Sequence, residues 1–107
     1  MQIKRMLIAN RGEIAVRIIK TAQKLGIQTY VIKAHNDTNA MYLNMADVIC
    51  EIPEDKNFLS EFLDIEGIIK VAKDNKIQAI HPGYGFLSEN PDFAKRCQEE
   101  KIILLQR

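Results

Sequence analysis

The 107-residue sequence has no tryptophan, only two cysteines and almost no excess charge of either sign. Its 15 basic and 14 acidic residues leave a formal net charge of +1, so nothing in the charge balance indicates a nucleic acid or an acidic membrane surface as a partner. No apolar run approaches the roughly 20 residues of a membrane-spanning helix, and no hydrophobic leader precedes the first apolar segment. Together these features predict a globular, cytoplasmic protein that forms one domain over residues 1–107.

The residue types that most often carry chemistry are sparse and widely spaced. Cys50 and Cys97 lie in apolar surroundings and far apart, which predicts buried free thiols in a reducing compartment. His35 and His81 show no metal-ligand spacing. A phosphate-binding loop ending in Gly-Lys-Ser/Thr is also missing. The sequence therefore predicts no metal site and no catalytic residue in this chain.

Apolar runs and helical patterns alternate along the whole sequence. This alternation predicts a Rossmann-like α/β fold, a five-stranded parallel sheet with helices on both faces and strand order 3-2-1-4-5. The predicted strands cover residues 3–9, 27–33, 48–52, 77–80 and 102–105. Helices are predicted over residues 12–25 and 40–45, after a cap at Asp64, and after a cap at Asn90 with Pro91 in the first turn. Gly26 is predicted to end the first helix as its carboxyl-terminal cap. The residues that recur at helical spacing are predicted to face the sheet: Ile14, Ile18, Ala22 and Leu25.

Two short motifs follow the first and fourth predicted strands. Residues 10–15 read Asn-Arg-Gly-Glu-Ile-Ala, and residues 81–90 read His-Pro-Gly-Tyr-Gly-Phe-Leu-Ser-Glu-Asn. In strand order 3-2-1-4-5 these loops flank the point where the order reverses, which is where open parallel sheets bind ligands. The sequence therefore predicts a ligand crevice between the two loops.

Each motif also has a simpler structural interpretation. Residues 10–13 could form only a tight turn, with Glu13 at the positive end of the helix dipole and paired with Arg17. His81 could be a hydrogen-bonded structural residue, and Glu89 a carboxylate at a helix start. Residues 83–88 imitate a dinucleotide fingerprint, but they follow the fourth strand rather than the first and lack the third glycine, so a dinucleotide site is disfavoured.

The two motifs, in this order and at this distance, resemble the amino-terminal domain of biotin carboxylase, the domain that precedes an ATP-grasp fold. The resemblance extends from about residue 4 to about residue 105. It implies that Tyr84 and Gly85 line the place where the biotin ring meets the enzyme, and that Glu89 helps to organise the site. The remaining implied residues are the biotin-side neighbours Gly83 and His81, the crevice-loop residues Asn10, Arg11, Gly12 and Glu13, and the candidates for a dimer interface, Arg17, Lys20 and Lys24.

The resemblance also implies a reaction and partners for a longer protein. Biotin carboxylase activates bicarbonate with ATP and magnesium, through a carboxyphosphate-like intermediate, and carboxylates the ureido nitrogen of biotin. The implied partners are an ATP-grasp domain of the same chain, a biotin carboxyl carrier protein or domain, a carboxyltransferase and a second copy in a homodimer. This chain alone is expected to bind no cofactor and to be inactive. It is also expected to self-associate through exposed Phe86 and Leu87. The alternative is a free-standing small α/β module that binds a ligand or a partner without catalysis.

Overall fold

The computed structural model describes residues 2–10, 12–33, 41–52, 64–83 and 87–105, and in these ranges strands alternate with helices. A single-turn 3-10 helix, Leu87–Glu89, precedes the last α-helix. The predicted elements are present, with ends that differ by a few residues. Their bounds are β1 Arg5–Ile8, α1 Gly12–Lys24, β2 Gln28–Ile32, α2 Met41–Met45, β3 Val48–Cys50, α3 Ile65–Asp74, β4 Ala79–His81, α4 Pro91–Glu99 and β5 Ile103–Leu104.

The five strands form one parallel sheet in the order β3-β2-β1-β4-β5, as predicted. The central strand β1 pairs with β2 on one side and β4 on the other, and Leu7 stands opposite both Tyr30 and Ile80. The order of the strands reverses between β1 and β4. The carboxyl ends of these two strands are therefore neighbours at one edge of the sheet.

Both faces of the sheet carry a hydrophobic core, because successive residues of β1 point to opposite sides. Met6 and Ile8 pack with α1 and α2. Leu7 and Ala9 pack with α3 and α4 on the other face. The strands read as nearly continuous apolar runs because both sides are covered, which is typical of a parallel sheet.

The buried face of α1 differs from the predicted one. Ala15, Ile19 and Ala22 are buried, whereas the side chain of Leu25 is 71% exposed. Ile14 and Ile18 are only partly buried, at the margin of the core. The helix carries apolar side chains on two adjoining stripes. The stripe through Ala15, Ile19 and Ala22 lies against the sheet, so of the predicted face only Ala22 is fully buried.

The predicted caps at the starts of α3 and α4 are confirmed. Asp64 Oδ1 accepts a hydrogen bond from Gly67 N at 2.9 Å, and caps α3. Asn90 Oδ1 accepts from the backbone amides of Asp92 and Phe93 at 2.8 and 3.2 Å, and Pro91 lies in the first turn of α4. These bonds satisfy backbone amides that have no partner within the helix.

The expectation that Leu87 is exposed is wrong, because Leu87 is buried in the core beneath α3 and α4. Its apolar side chain turns inward in the 3-10 helix, so it offers no surface for self-association. Phe86 lies outside the described residues. In the part of the chain that the structure describes, no helix has both the length and the hydropathy to cross a membrane.

Cys50 and Cys97 are free and buried, as predicted. Burial raises the pKa of the Cys97 thiol to about 11 and also raises the pKa of Cys50. Both thiols are therefore protonated at neutral pH. A protonated, buried thiol is a poor nucleophile and a poor metal ligand, so neither cysteine is a candidate for the site chemistry.

Candidate functional site

The candidate site lies where the chain leaves β1 and β4. The backbone amide of Ala9 donates to the carbonyl oxygen of His81 at 2.9 Å and continues the parallel pairing to the ends of both strands. Asn10 follows on one side, and Pro82 and Gly83 follow on the other. The structure therefore brings Asn10 of the first motif together with Pro82 and Gly83 of the second.

A side-chain hydrogen bond joins the two loops. Asn10 Nδ2 donates to the carbonyl oxygen of Pro82 at 2.8 Å. Pro82 and Gly83 are both buried, so this bond is shielded from competing water. Bonds between residues 72 positions apart in sequence hold the loops in a defined relative position.

Gly83 is required both for its backbone conformation and for its lack of a side chain. Its φ of +69° lies in the left-handed region, which disfavours other residues. A Cβ atom at this position would lie 2.5 Å from Asn10 Nδ2 and 2.8 Å from Asn10 Cγ. The loop after β4 therefore passes directly against the Asn10 side chain, at a distance only glycine permits.

His81 is the last residue of β4, one position beyond the predicted end of the strand. Its Nδ1 accepts a hydrogen bond from the backbone amide of Gly83 at 3.0 Å, which places the proton of the neutral ring on Nε2. Burial lowers the pKa of the His81 imidazole, so the ring is neutral at pH 7. This geometry matches the structural interpretation of His81: the ring supports the turn that follows the strand.

The other residues of the first motif lie at the start of α1. Gly12 has φ of +77°, and a Cβ atom there would meet nothing within 4 Å, so its conformation rather than its space calls for glycine. Glu13 Oε1 accepts from Arg17 Nη2 at 3.1 Å, as predicted, with both side chains 78% exposed. Lys20 and Lys24 are also exposed on α1. Arg11 lies outside the described residues.

The predicted biotin-side residues are divided between described and undescribed parts of the chain. Tyr84 and Gly85 lie outside the described residues, directly after Gly83. Glu89 is exposed at the end of the 3-10 helix, immediately before the cap of α4. It is not among the residues that join the β1 and β4 loops.

Two features of this region were not predicted from the sequence. One is the carbonyl oxygen of Pro82 as a hydrogen-bond acceptor, because backbone acceptors carry no sequence signal. The other is an open, mainly apolar hollow of about 280 Å³ beside α1 that reaches His81. The exposed side chain of Leu25 lines this hollow. The sequence could not indicate the hollow, because Leu25 was predicted to face the sheet. It is lined by Met6, Arg17, Ile18, Thr21, Ala22, Leu25, Ile27 and His81.

Among residues 2–10, 12–33, 41–52, 64–83 and 87–105, no group of three metal-ligating side chains lies close enough to hold an ion. The described residues at the ends of β1 and β4 form a neutral edge made of backbone groups, an amide side chain and an uncharged imidazole. Such an edge can contact and orient an uncharged polar ligand.

A five-stranded parallel α/β sheet with two joined loops at its switch point defines a class of ligand-binding domains, and comparison with known proteins gives the family. The family described as "Biotin carboxylase, N-terminal domain" matches residues 2–105. The chain is 48% identical over 103 residues to pyruvate carboxylase of Bacillus subtilis, covering 96% of this chain and 9% of that protein. It is 46% identical to biotin carboxylase 1 of the same organism, covering 96% of this chain and 23% of that protein.

A solved structure gives the same result. The biotin carboxylase domain dimer of Hydrogenobacter thermophilus 2-oxoglutarate carboxylase, in complex with MgADP, ADP and bicarbonate, superposes with a TM-score of 0.88. It is 42% identical in sequence, and the match covers 97% of this chain and 23% of that chain. The chain therefore belongs to the family of biotin carboxylase amino-terminal domains, and it spans less than a quarter of the length of these three relatives.

Proposed function

We propose that this chain is the amino-terminal domain of an ATP-dependent biotin carboxylase and forms one wall of its biotin site. The proposal rests on the family and on one geometric observation. The loops after β1 and β4 are joined at the switch point of the sheet, directly before Tyr84 and Gly85. Ligands of open parallel sheets bind at this position. Biotin is the substrate that the resemblance assigns to those two residues.

The chemistry of this wall suits the biotin ring. The ureido group of biotin is uncharged and carries both hydrogen-bond donors and an acceptor. A neutral edge can lie against such a ring without the cost of burying a charge. In this proposal, Tyr84 contributes an aromatic face, Gly83 and Gly85 allow close approach of the backbone, and Glu89 orients the loop from its exposed end.

The activation of bicarbonate belongs to another part of a longer protein. The described residues hold no cluster for magnesium, and the sequence has no phosphate-binding loop with a lysine. ATP, magnesium and bicarbonate are therefore assigned to an ATP-grasp domain. The Hydrogenobacter domain, of which this chain covers 23%, was solved with MgADP and bicarbonate, which supports a nucleotide site in a longer protein of this family. A biotin carrier domain and a carboxyltransferase complete the set of partners.

We also propose that the exposed basic residues of α1 lie at a subunit interface, since the Hydrogenobacter domain forms a dimer. Arg17 is balanced by Glu13, whereas Lys20 and Lys24 add positive charge one and two turns further along the helix. Two copies would therefore bring like charges together unless acidic groups of the partner oppose them. Sedimentation of the longer protein at low and high salt tests this interface. Dimerisation unaffected by Lys20→Glu with Lys24→Glu would contradict it.

The test of function is to place this chain in a working carboxylase. A chimaera is made in which the chain replaces the matching segment of Bacillus subtilis biotin carboxylase 1. Biotin- and bicarbonate-dependent cleavage of ATP is then measured for the chimaera and for the 107-residue chain alone. We expect the chimaera to be active and the chain alone to be inactive. In the chimaera, Tyr84→Ala should raise the KM for biotin and leave the KM for ATP unchanged.

Three results would contradict the proposal. ATP turnover by the isolated chain would show that the domain carries chemistry of its own. A folded chimaera without biotin-dependent activity, beside an active unmodified relative, would favour the alternative of a non-catalytic binding module. An active chimaera whose KM for biotin is unchanged by Tyr84→Ala would show that the domain has only a scaffolding role.

A further inference from the structure

The three residues that precede Tyr84 are held at three separate points. The carbonyl oxygen of His81 accepts from Ala9 N at 2.9 Å, and the carbonyl oxygen of Pro82 accepts from Asn10 Nδ2 at 2.8 Å. The amide of Gly83 donates to the ring of His81 at 3.0 Å. Two of the three bonds come from the β1 side, so the path of residues 81–83 depends on the strand that lies beside it.

Asn10 makes the contact closest to the candidate biotin residues. Its side chain bonds the carbonyl immediately before Gly83 and also fills the space that a Gly83 side chain would occupy. It therefore constrains both the orientation of the Pro82–Gly83 peptide and the approach of the Gly83 α-carbon. The path of the chain as far as Gly83 follows from these two constraints.

We propose that Asn10 is a positioning residue for the biotin site, which acts through Pro82 and Gly83 to aim Tyr84 and Gly85. The inference rests on the proposed function above. Asn10 directly follows the central strand β1, and residues Met6 to Ala9 before it are buried, so it is anchored to a well-packed part of the sheet. A site held by such an element loses its geometry when the supporting contact is removed, even though that contact never touches the ligand.

Three variants separate positioning from stability. Asn10→Ala removes both the hydrogen bond and the packing against Gly83. Asn10→Asp keeps the shape but places a carboxylate oxygen against the Pro82 carbonyl, so it removes the donor, adds repulsion and leaves the packing against Gly83. Asn75→Ala is the matched control: Asn75 is also half-buried, and its Nδ2 donates to the carbonyl of Val71 at 2.8 Å, but it lies after α3, before β4 begins.

Two measurements are made on these variants. The first is the KM for free biotin and the KM for ATP of the chimaera described above. The second is amide hydrogen exchange at residues 83–86 of the 107-residue chain, which reports the loop independently of any activity. We expect Asn10→Ala and Asn10→Asp to raise the KM for biotin about tenfold with an unchanged KM for ATP, and to speed exchange at residues 83–86. Asn75→Ala should change neither quantity.

The outcomes distinguish failure of this inference from failure of the proposed function. If the unmodified chimaera turns over ATP with biotin but Asn10→Ala and Asn75→Ala behave alike, Asn10 has only a structural role and the inference is overturned. Equal losses in the KM for biotin and for ATP overturn it as well. If the unmodified chimaera is folded but inert, the proposed function fails and the biotin role of Asn10 fails with it. Exchange data then still show whether Asn10 fixes the loop. Circular dichroism confirms that each variant folds, and Asn10→Asp replaces Asn10→Ala if the latter does not.

Discussion

A Cβ atom on Gly83 would lie 2.5 Å from Nδ2 of Asn10, a separation that side-chain atoms do not tolerate. Gly83 also has φ of +69°, which costs a non-glycine residue roughly 1 kcal/mol or more. We therefore expect Gly83→Ala to destabilise the chain through two additive causes, backbone strain and the collision with Asn10.

A double-mutant cycle measured by urea unfolding separates these causes. In the Asn10→Ala background the two closest contacts are removed and only the one with the Cβ atom of residue 10, at 3.0 Å, remains. Gly83→Ala should therefore cost less there than in the unmodified chain, by about 1 kcal/mol. The strain at φ of +69° remains in both backgrounds. Additive costs with no coupling would show that Asn10 and Gly83 do not contact one another as described.

The His81 imidazole should make stability depend on pH in a defined window. Burial lowers its pKa in the folded chain below the ordinary value of 6.5, so on acidification the unfolded chain takes up the proton first. The free energy of unfolding should therefore decrease as pH falls below about 6.5, until the folded ring is also protonated. Protonation of Nδ1 also removes the acceptor for Gly83 N.

The variant His81→Asn tests this dependence, because its side-chain oxygen can accept from Gly83 N and does not titrate. Urea unfolding at pH 7.5, 6.5 and 5.5 should show a flatter pH dependence for His81→Asn than for the unmodified chain. The difference between the two proteins cancels contributions from His35 and from the carboxylates. Parallel curves would indicate that His81 titrates normally.

The buried face of α1 can be checked with two substitutions that the sequence pattern alone would rank in the wrong order. Ile19 is fully buried between α1 and the sheet, whereas Leu25 is 71% exposed. Ile19→Ala should lower the free energy of unfolding by about 2–5 kcal/mol, the usual cost of such a cavity. Leu25→Ala should change it by about 0.5 kcal/mol or less. Equal losses of stability in the two variants would instead support the predicted face, in which Leu25 lies against the sheet.

Arg96 of α4 pairs with three carboxylates, and one of them, Glu66, lies on α3 and so links the two helices. Its guanidinium contacts Glu66 at 2.7 Å, Glu99 at 3.0 Å and Glu100 at 3.1 Å. The hydrogen bond from Arg96 lowers the pKa of Glu66 and is the main cause of the lowered pKa of Glu100. Carboxylates with lowered pKa stabilise the fold above their unfolded pKa, near 4.5, and this contribution is lost as pH falls through their folded values.

We therefore expect Arg96→Gln to flatten the loss of stability below about pH 5, and 1 M salt to reduce the difference between variant and unmodified chain. Lys70→Gln is the control, because Lys70 forms one exposed pair with Asp74 within α3. Its effect should be smaller, since isolated surface pairs contribute little. Thermal unfolding at pH 3.5, 4.5 and 7 measures both. An equal effect of the two substitutions would contradict a network that joins the helices.

Much of the fold follows from local patterns in the sequence. The alternation of strands and helices, the strand order and the caps at Asp64 and Asn90 were all predicted, because periodicity and capping depend on residues close together in the chain. The predicted pairing of Glu13 with Arg17 is confirmed for the same reason, since a spacing of four places both on one side of a helix.

Other features could not be read from local patterns. Ile14, Ile18 and Ile19 allow two faces of α1, and the choice between them depends on tertiary packing, which buries Ala15 and Ile19 in one cluster with residues of β1 and β2. Leu87 was expected at the surface because it lies beyond the carboxyl end of a strand. It is buried in the core instead, among residues distant in sequence.

The two motifs and their positions after β1 and β4 were determined by the sequence itself, and so was the family they indicate. Only the tertiary structure decided how they meet: Asn10 bonds Pro82 and packs against Gly83 across 72 positions of sequence. The physical reason is that composition and periodicity report which residues face a core. Close packing and hydrogen bonds between the ends of neighbouring strands exist only once the sheet has aligned them.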